Sequence, residues 1–374
     1  MNVKTKIKLL IACATILSGL HAAAAQRESW EYLMSSDQPK TPADQKAWEL
    51  LKECRHQGGE GAKRIIAEMP RIPHKYRNQA IEVLSRTQCQ ESREYLLTLA
   101  LSSSDKYAAI VYLEYSGDSS AAQNLLQSTD SEIQLVALRG LMGSHGIDPV
   151  ALDRAEWEVV KGLLISDSLE LRRWATKVTA RDSGTAVPVG EKAARIVASM
   201  LTTLTSLEAQ NQSGYGGEGW SYSFPLGEGV LAEQAVSLGG MGRKEGKEEI
   251  RELLADLTPP APRLVREGMM IARFLAGDHT LRGEVHRIAT NCPSGRLRMV
   301  ALEQALNFRT VTETDRECLE RVAADDPLEG KPGSHYAYVT GDTSLENVRE
   351  AKIYPARNLA KRTLKRLGLP KPKP

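Results

Sequence analysis

Leu231, Leu264 and Leu297 recur at intervals of 33 residues (264−231 and 297−264), and each is followed four positions later by a small residue: Ala235, Gly268 and Ala301. Four positions is one helical turn, so each pair lies on one face of a helix, and the small member lets a neighbouring helix approach closely. A chain with this period is constrained to stack similar helical units, because one unit alone cannot bury its apolar face.

The same first-helix pattern is present at Tyr76 to Leu84 with Ala80, Ile133 to Leu141 with Ala137, Leu171 to Val178 with Ala175, and Ala356 to Leu364 with Ala360. Turn or capping residues precede several of them: Ser128-Thr129-Asp130-Ser131, Ser166-Asp167-Ser168 and Asn291-Cys292-Pro293-Ser294, whose short polar side chains can accept from the free N–H groups of a first turn. Second helices follow, with apolar residues at i, i+3 and i+4: Ile250, Leu253 and Leu254; Val285, Ile288 and Ala289; Leu319, Val322 and Ala323. That stripe predicts amphipathic helices packed on one side. The fold class expected is therefore all-α.

The first 25 residues carry Lys4, Lys6 and Lys8, an apolar run from Leu9 to Leu20 and four alanines at 22–25, the pattern of a secretory signal. The run is too short to span a bilayer. Cys13 also stands in a lipoprotein-like box, but only residues 9–12 separate it from Lys8, too few for the apolar core of such a leader. Ordinary cleavage and a periplasmic or secreted bacterial protein are the expectation.

Loss of the three leader lysines takes the formal charge from +2 to −1, which argues against a general nucleic-acid binder. The basic carboxyl end, from Lys361 to Lys373, reads as a solvated helix face whose cations suit a helix C-terminus. Four cysteines remain after the leader: Cys54, Cys89, Cys292 and Cys318. An even number in an exported chain suggests two disulfides. Proximity in sequence favours Cys54 with Cys89 and Cys292 with Cys318 among the three connectivities. The close Cys pairs of a zinc site are absent.

The acidic turn, the apolar-Arg-x-x-Ala run and the Leu-Gly ending, as in Ser294 to Ala301 and Ala356 to Gly368, resemble the short HEAT-like repeats first associated with phycobilisome lyases. The resemblance covers residues 70–368 and implies an α-solenoid of antiparallel helix pairs, a HEAT-like superhelix whose members mostly bind other molecules. Residues 26–69 read as a helical N-terminal cap, and 369–374 as a Pro/Lys tail.

Two stretches interrupt the array, residues 211–229 and 325–343. Loops this long without helix signals are usually functional or mobile. The first holds six glycines (214, 216, 217, 219, 227 and 229) and Tyr215, Trp220, Tyr222 and Phe224, in a chain only 5% aromatic. Trp220, Tyr222 and Phe224 alternate, so an extended backbone would project all three to one side as a stacking platform for a sugar or apolar peptide. The competing reading is that they fold back to plug a gap between helices, as large aromatics usually do. Residues 207–222 also resemble one unit of the prenyltransferase and squalene-cyclase repeat, which implies an α/α toroid as the alternative architecture. The Asp-x-Asp-Asp acid of the cyclases is missing.

The second loop holds His335, Tyr336 and Tyr338, residue types able to exchange protons in a cleft. His279 and His286 could share a helix face with Glu284 and hold a metal, but Gly277-Asp278 reads as a cap that would separate them. No nucleophile elbow, phosphate loop or zinc-protease helix is present. The sequence thus predicts an exported scaffold without cofactor that binds a protein or glycan in the envelope or outside the cell. The alternative is an enzyme acting on polysaccharide or cell-wall material, with a cleft between the two loops.

Overall fold

The structure, a computed structural model, describes residues 39–87, 89–103, 105–116, 119–142, 151–209, 222–223, 226–244, 247–256, 262–305, 311–329, 331–332 and 354–367. The leader with Cys13, and the Pro/Lys tail, lie outside the described residues. The chain divides after Thr98 into two compact units.

In the first unit, helices α1 (Pro42–Cys54), α2 (Gly58–Glu68) and α3 (Arg77–Arg86) pack on one another, and α4 (Gln90–Ser102) begins there. Helix α1 starts where Thr41 and Asp44 form a reciprocal cap: the Asp44 N–H donates to Thr41 Oγ1 at 3.1 Å and the Thr41 N–H to Asp44 Oδ2 at 3.0 Å. The Lys75 ammonium donates to the same carboxylate at 2.7 Å. Leu51, Ile65, Ile81 and Leu84 are the buried core.

The second unit continues through α5 (Lys106–Ser116), α6 (Ser119–Leu126), α7 (Ser131–Leu141), α8 (Arg154–Leu163), α9 (Leu169–Arg181), α10 (Val189–Ala209), α11 (Leu226–Lys244) and α12 (Lys247–Asp256). It closes with α13 (Arg263–Leu275), α14 (Arg282–Asn291), α15 (Gly295–Val300), α16 (Glu313–Asp325) and α17 (Pro355–Arg366). A π-helical turn, Ala301–Ala305, extends α15. Helices pack mainly on their neighbours in the chain: α7 on α5, α6 and α9; α11 on α9, α10, α12 and α13; α16 on α17.

One local device recurs where these helices begin. Asp130, Ser168 and Ser294 cap α7, α9 and α15 by accepting from the N–H groups of Ile133 (3.2 Å), Leu171 (3.4 Å) and Leu297 (3.3 Å). Four residues after each cap a long side chain turns back to a carbonyl of the preceding segment: Gln134 to Ser128 at 2.7 Å, Arg172 to Ser166, and Arg298 to Ala289 at 3.3 Å. Arg357 of α17 does likewise to Asp326 at 2.6 Å. Arg172 and Arg298 are buried, an expensive place for a cation unless it is hydrogen-bonded or paired. Arg298 also pairs with buried Asp326.

The small residues stand at helix crossings. A Cβ at Gly268 would lie 2.8 Å from Met200 Cε and 3.5 Å from the Cβ of Ala235, and Leu297 Cδ2 is also within 4.0 Å. At Gly239 of α11 it would lie 2.5 Å from Leu275 Cβ of α13, so only glycine permits that approach. Ala301 is fully buried. Ala301→Leu is therefore expected to overpack its crossing and destabilise the protein by roughly 1–3 kcal/mol; a thermal melt with an unchanged midpoint would place Ala301 away from any neighbour.

Two features stand apart from the helical pattern. The first is a minimal antiparallel pair, β1 (Tyr222–Ser223) with β2 (Lys331–Pro332), registered Tyr222 to Pro332 and Ser223 to Lys331. Strands this short have no stability of their own. The second concerns the cysteines, whose two expected disulfides are not formed: Cys54, Cys89, Cys292 and Cys318 are free thiols. Closeness in sequence did not bring the sulfurs face to face. Cys89 Sγ is 3.1 Å from Ser92 Oγ; Cys292, at the end of α14, turns to Glu267 of α13; Cys318 lies on the buried stripe of α16. Burial and the Glu267 carboxylate push the Cys292 thiol well above its ordinary range, and burial pushes Cys318 up to about 11, so neither is a ready thiolate. Alkylation of the denatured, unreduced protein is expected to label all four positions, which intact mass spectrometry would count.

Candidate functional site

Two grooves lie in the second unit. The first, of about 230 Å³, runs between α9, α11 and α15 and is lined by Lys177, Ala232, Glu233, Val236, Ser237, Arg296, Val300 and Glu303. Its floor is small and apolar and its rim charged. Glu233 bridges α11 to α9, its carboxylate meeting Arg173 at 2.9 Å and Lys177 at 3.0 Å. Burial alone would raise the Glu233 carboxyl, but the two cations outweigh it and hold it below the usual carboxylate range. Glu303, on the π turn, goes the other way: burial raises its carboxyl, only partly opposed by Arg296 and Arg362. Two carboxylates in one groove thus differ in how readily they hold a proton. Beside the rim, Trp174 carries Lys177 at 4.5 Å and Arg139 at 5.5 Å from its ring centroid, cation–π contacts that tie α7 to α9.

A second groove, of about 380 Å³, runs between α14 and α16 and is lined by polar groups that include His286, Arg287, Thr290, Thr314 and Arg321. Behind it Asp315, buried and part of the Thr312 cap of α16, accepts from the Thr312 N–H at 2.8 Å and from Arg282, and pairs with His286 Nε2 at 2.7 Å. Burial would raise its carboxyl; the Thr312 N–H, His286 and Arg282 together hold it down. The buried carboxylate thereby orients the imidazole. Arg287 is held by Glu284 at 2.8 Å and by buried Glu267 at 3.0 Å.

The histidine pair does not converge. Gly277, with φ of +103°, turns the chain before the short 3-10 helix of His279, a conformation that favours glycine. His279 packs edge-on against Phe274 at 5.4 Å, whereas His286 faces Asp315. Among the described residues no three His, Cys, Asp or Glu side chains gather as a metal would require. No described helix is long and apolar enough to cross a membrane.

Of the loop residues singled out by sequence, Tyr215, Trp220, Phe224, His335, Tyr336 and Tyr338 lie outside the described residues; Tyr222 is described only as backbone of β1. The β1–β2 pairing nevertheless joins the backbones of the two loops, Tyr222 being the ladder partner of Pro332, 110 positions further on (332−222). The sequence reading missed the charged groove, although a signal was present. Arg173 and Glu233 each stand two positions after the core leucine of their helix, Leu171 and Leu231, so opposite charges at the same offset from a core leucine belong to a pair that meets between two packed helices.

No protein-family model matches this chain, and a comparison with curated proteins finds no match either.

Proposed function

We propose that the protein is an exported helical-repeat scaffold of HEAT-like type that binds another macromolecule in the cell envelope or outside the cell. The observation that carries this reading is the recurrence of one helix start at α7, α9 and α15: a cap, a core residue three positions on, a back-reaching Gln or Arg at four, and a buried alanine at seven. Repetition of a packing unit builds extended surface rather than a single enclosed site, and binding is the common use of such surface. The grooves between α9, α11 and α15, and between α14 and α16, are its candidate contacts. Capture from envelope extract on the immobilised protein tests the reading; recovery no different from that on an unrelated helical protein would reject it.

A second reading, an enzyme acting on polysaccharide or cell-wall material in a cleft between residues 211–229 and 325–343, is favoured by the backbone pairing of those two loops. If the loops bind, Trp220→Ala with Tyr222→Ala should abolish glycan or partner capture and shift stability by no more than about 0.5 kcal/mol. A loss of several kcal/mol, the scale of a core Trp→Ala at about 3–5 kcal/mol, would assign the aromatics to packing instead.

A further inference from the structure

Helix α17 carries Arg357, Lys361, Arg362, Lys365 and Arg366 and no acidic residue. Its apolar stripe, including Ala356, Leu359, Ala360 and Leu364, is buried, and Arg357 is engaged with the Asp326 carbonyl and the Tyr354 ring. Lys361, Arg362, Lys365 and Arg366 remain as an exposed cationic face. Favourable interaction with the helix dipole accounts for cations in the last turn, Lys365 and Arg366, but falls off before Lys361 and Arg362.

The fold connects this face to the first groove. Helix α17 packs against both α15 and the π turn, which supply Arg296 and Glu303 to the lining of the groove floored by Ala232, Val236 and Val300, and the Glu303 carboxylate feels the charge of both Arg296 and Arg362. The groove's other carboxylate, Glu233, is already neutralised by Arg173 and Lys177. The turn that carries Glu303 is π-helical, a conformation frequent at functional sites.

From this arrangement we propose that the α17 face and the groove beside it dock an acidic protein segment, its carboxylates meeting Arg296, Arg362 and Lys365 while an apolar side chain seats over Val236 and Val300. The inference rests on the scaffold reading and names the chemistry of its partner. Charge complementarity selects an anion. The concave apolar floor selects a peptide over a flat anionic bilayer, because the apolar stripe of α17 is buried and offers nothing to insert into lipid.

A fluorescein-labelled peptide alternating Glu and Leu, titrated with the purified protein, is the probe. Binding is expected to weaken with salt, to vanish when Gln replaces Glu in the peptide, and to weaken about tenfold or more in Arg362→Glu with Lys365→Glu. Ser237→Trp, which fills the groove, should weaken it while leaving the salt dependence in place. The charge-matched pair Lys46→Glu with Lys52→Glu, exposed on α1, should bind as the parent does, and unchanged melting of each variant separates docking from folding. Absence of peptide binding, or equal loss in the α1 pair, would overturn the proposal. So would phosphatidylglycerol vesicles or single-stranded nucleic acid binding through α17 where the peptide does not. An Arg362→Glu, Lys365→Glu protein that still captures its partners from envelope extract would reject the acidic partner and leave the scaffold reading standing.

Discussion

Asp182→Ala is expected to destabilise the second unit by about 3–5 kcal/mol, the usual cost of stranding one member of a buried ion pair. Asp182 ends the α9 segment with its side chain only 2% exposed, 2.8 Å from the ammonium of Lys192, itself 3% exposed. The other carboxylate oxygen accepts from the N–H groups of Leu152 at 3.0 Å and Gly184 at 2.8 Å. Removing the carboxylate leaves a buried cation and two part-buried donors without their acceptor. The Lys192 contacts to the carbonyls of Gly184 (2.9 Å) and Asp182 (3.4 Å) are retained but carry no full countercharge. Adding Lys192→Met should recover much of the loss, since replacing both charges by apolar groups is often close to neutral. Chemical denaturation of both variants checks this; a single-variant cost below about 1 kcal/mol would mean that solvent reaches the pair.

Trp157→Ala should cost a similar amount, about 3–5 kcal/mol, through the cavity it opens. Trp157 of α8 is fully buried, and its indole N–H reaches Glu191 of α10 at 3.3 Å, so it fills the space between two helices and links them. Trp157→Phe keeps most of the volume and removes the link, and should fall well short of the alanine variant. Equal costs would put the energy in the hydrogen bond rather than the packing. Denaturant midpoints at unchanged slope separate the two.

Short-range signals were legible and the structure follows them. Each of the three capping stretches read from the sequence supplies its cap, Asp130, Ser168 and Ser294, because a cap needs only a side-chain oxygen and N–H groups two or three residues on. The stripe Val285, Ile288 and Ala289 is buried because helical geometry alone puts those positions on one face. Ala235 and Gly268 meet at a crossing, where small residues on two helix faces let the helices approach closely. The aromatic and histidine loops were visible only as breaks in this pattern, since composition marks a loop without giving its path.

Contacts between residues far apart in sequence had no such basis. The cysteines are free although their number suggested pairing, because a disulfide needs two sulfurs brought to bonding geometry and sequence distance says nothing of direction. His286 with Asp315 and Trp157 with Glu191 join residues 29 and 34 apart, and the pairing of β1 with β2 joins the two long loops. Each depends on which helix lies beside which, a choice made by core packing over the whole unit. The sequence by itself therefore determined the helices, their starts and the close-packed positions, all of which are set within one or two turns of chain. Tertiary structure alone decided the charged grooves, the orientation of His286 and the fate of the thiols, because only packing brings those groups within the few ångströms over which hydrogen bonds and ion pairs act.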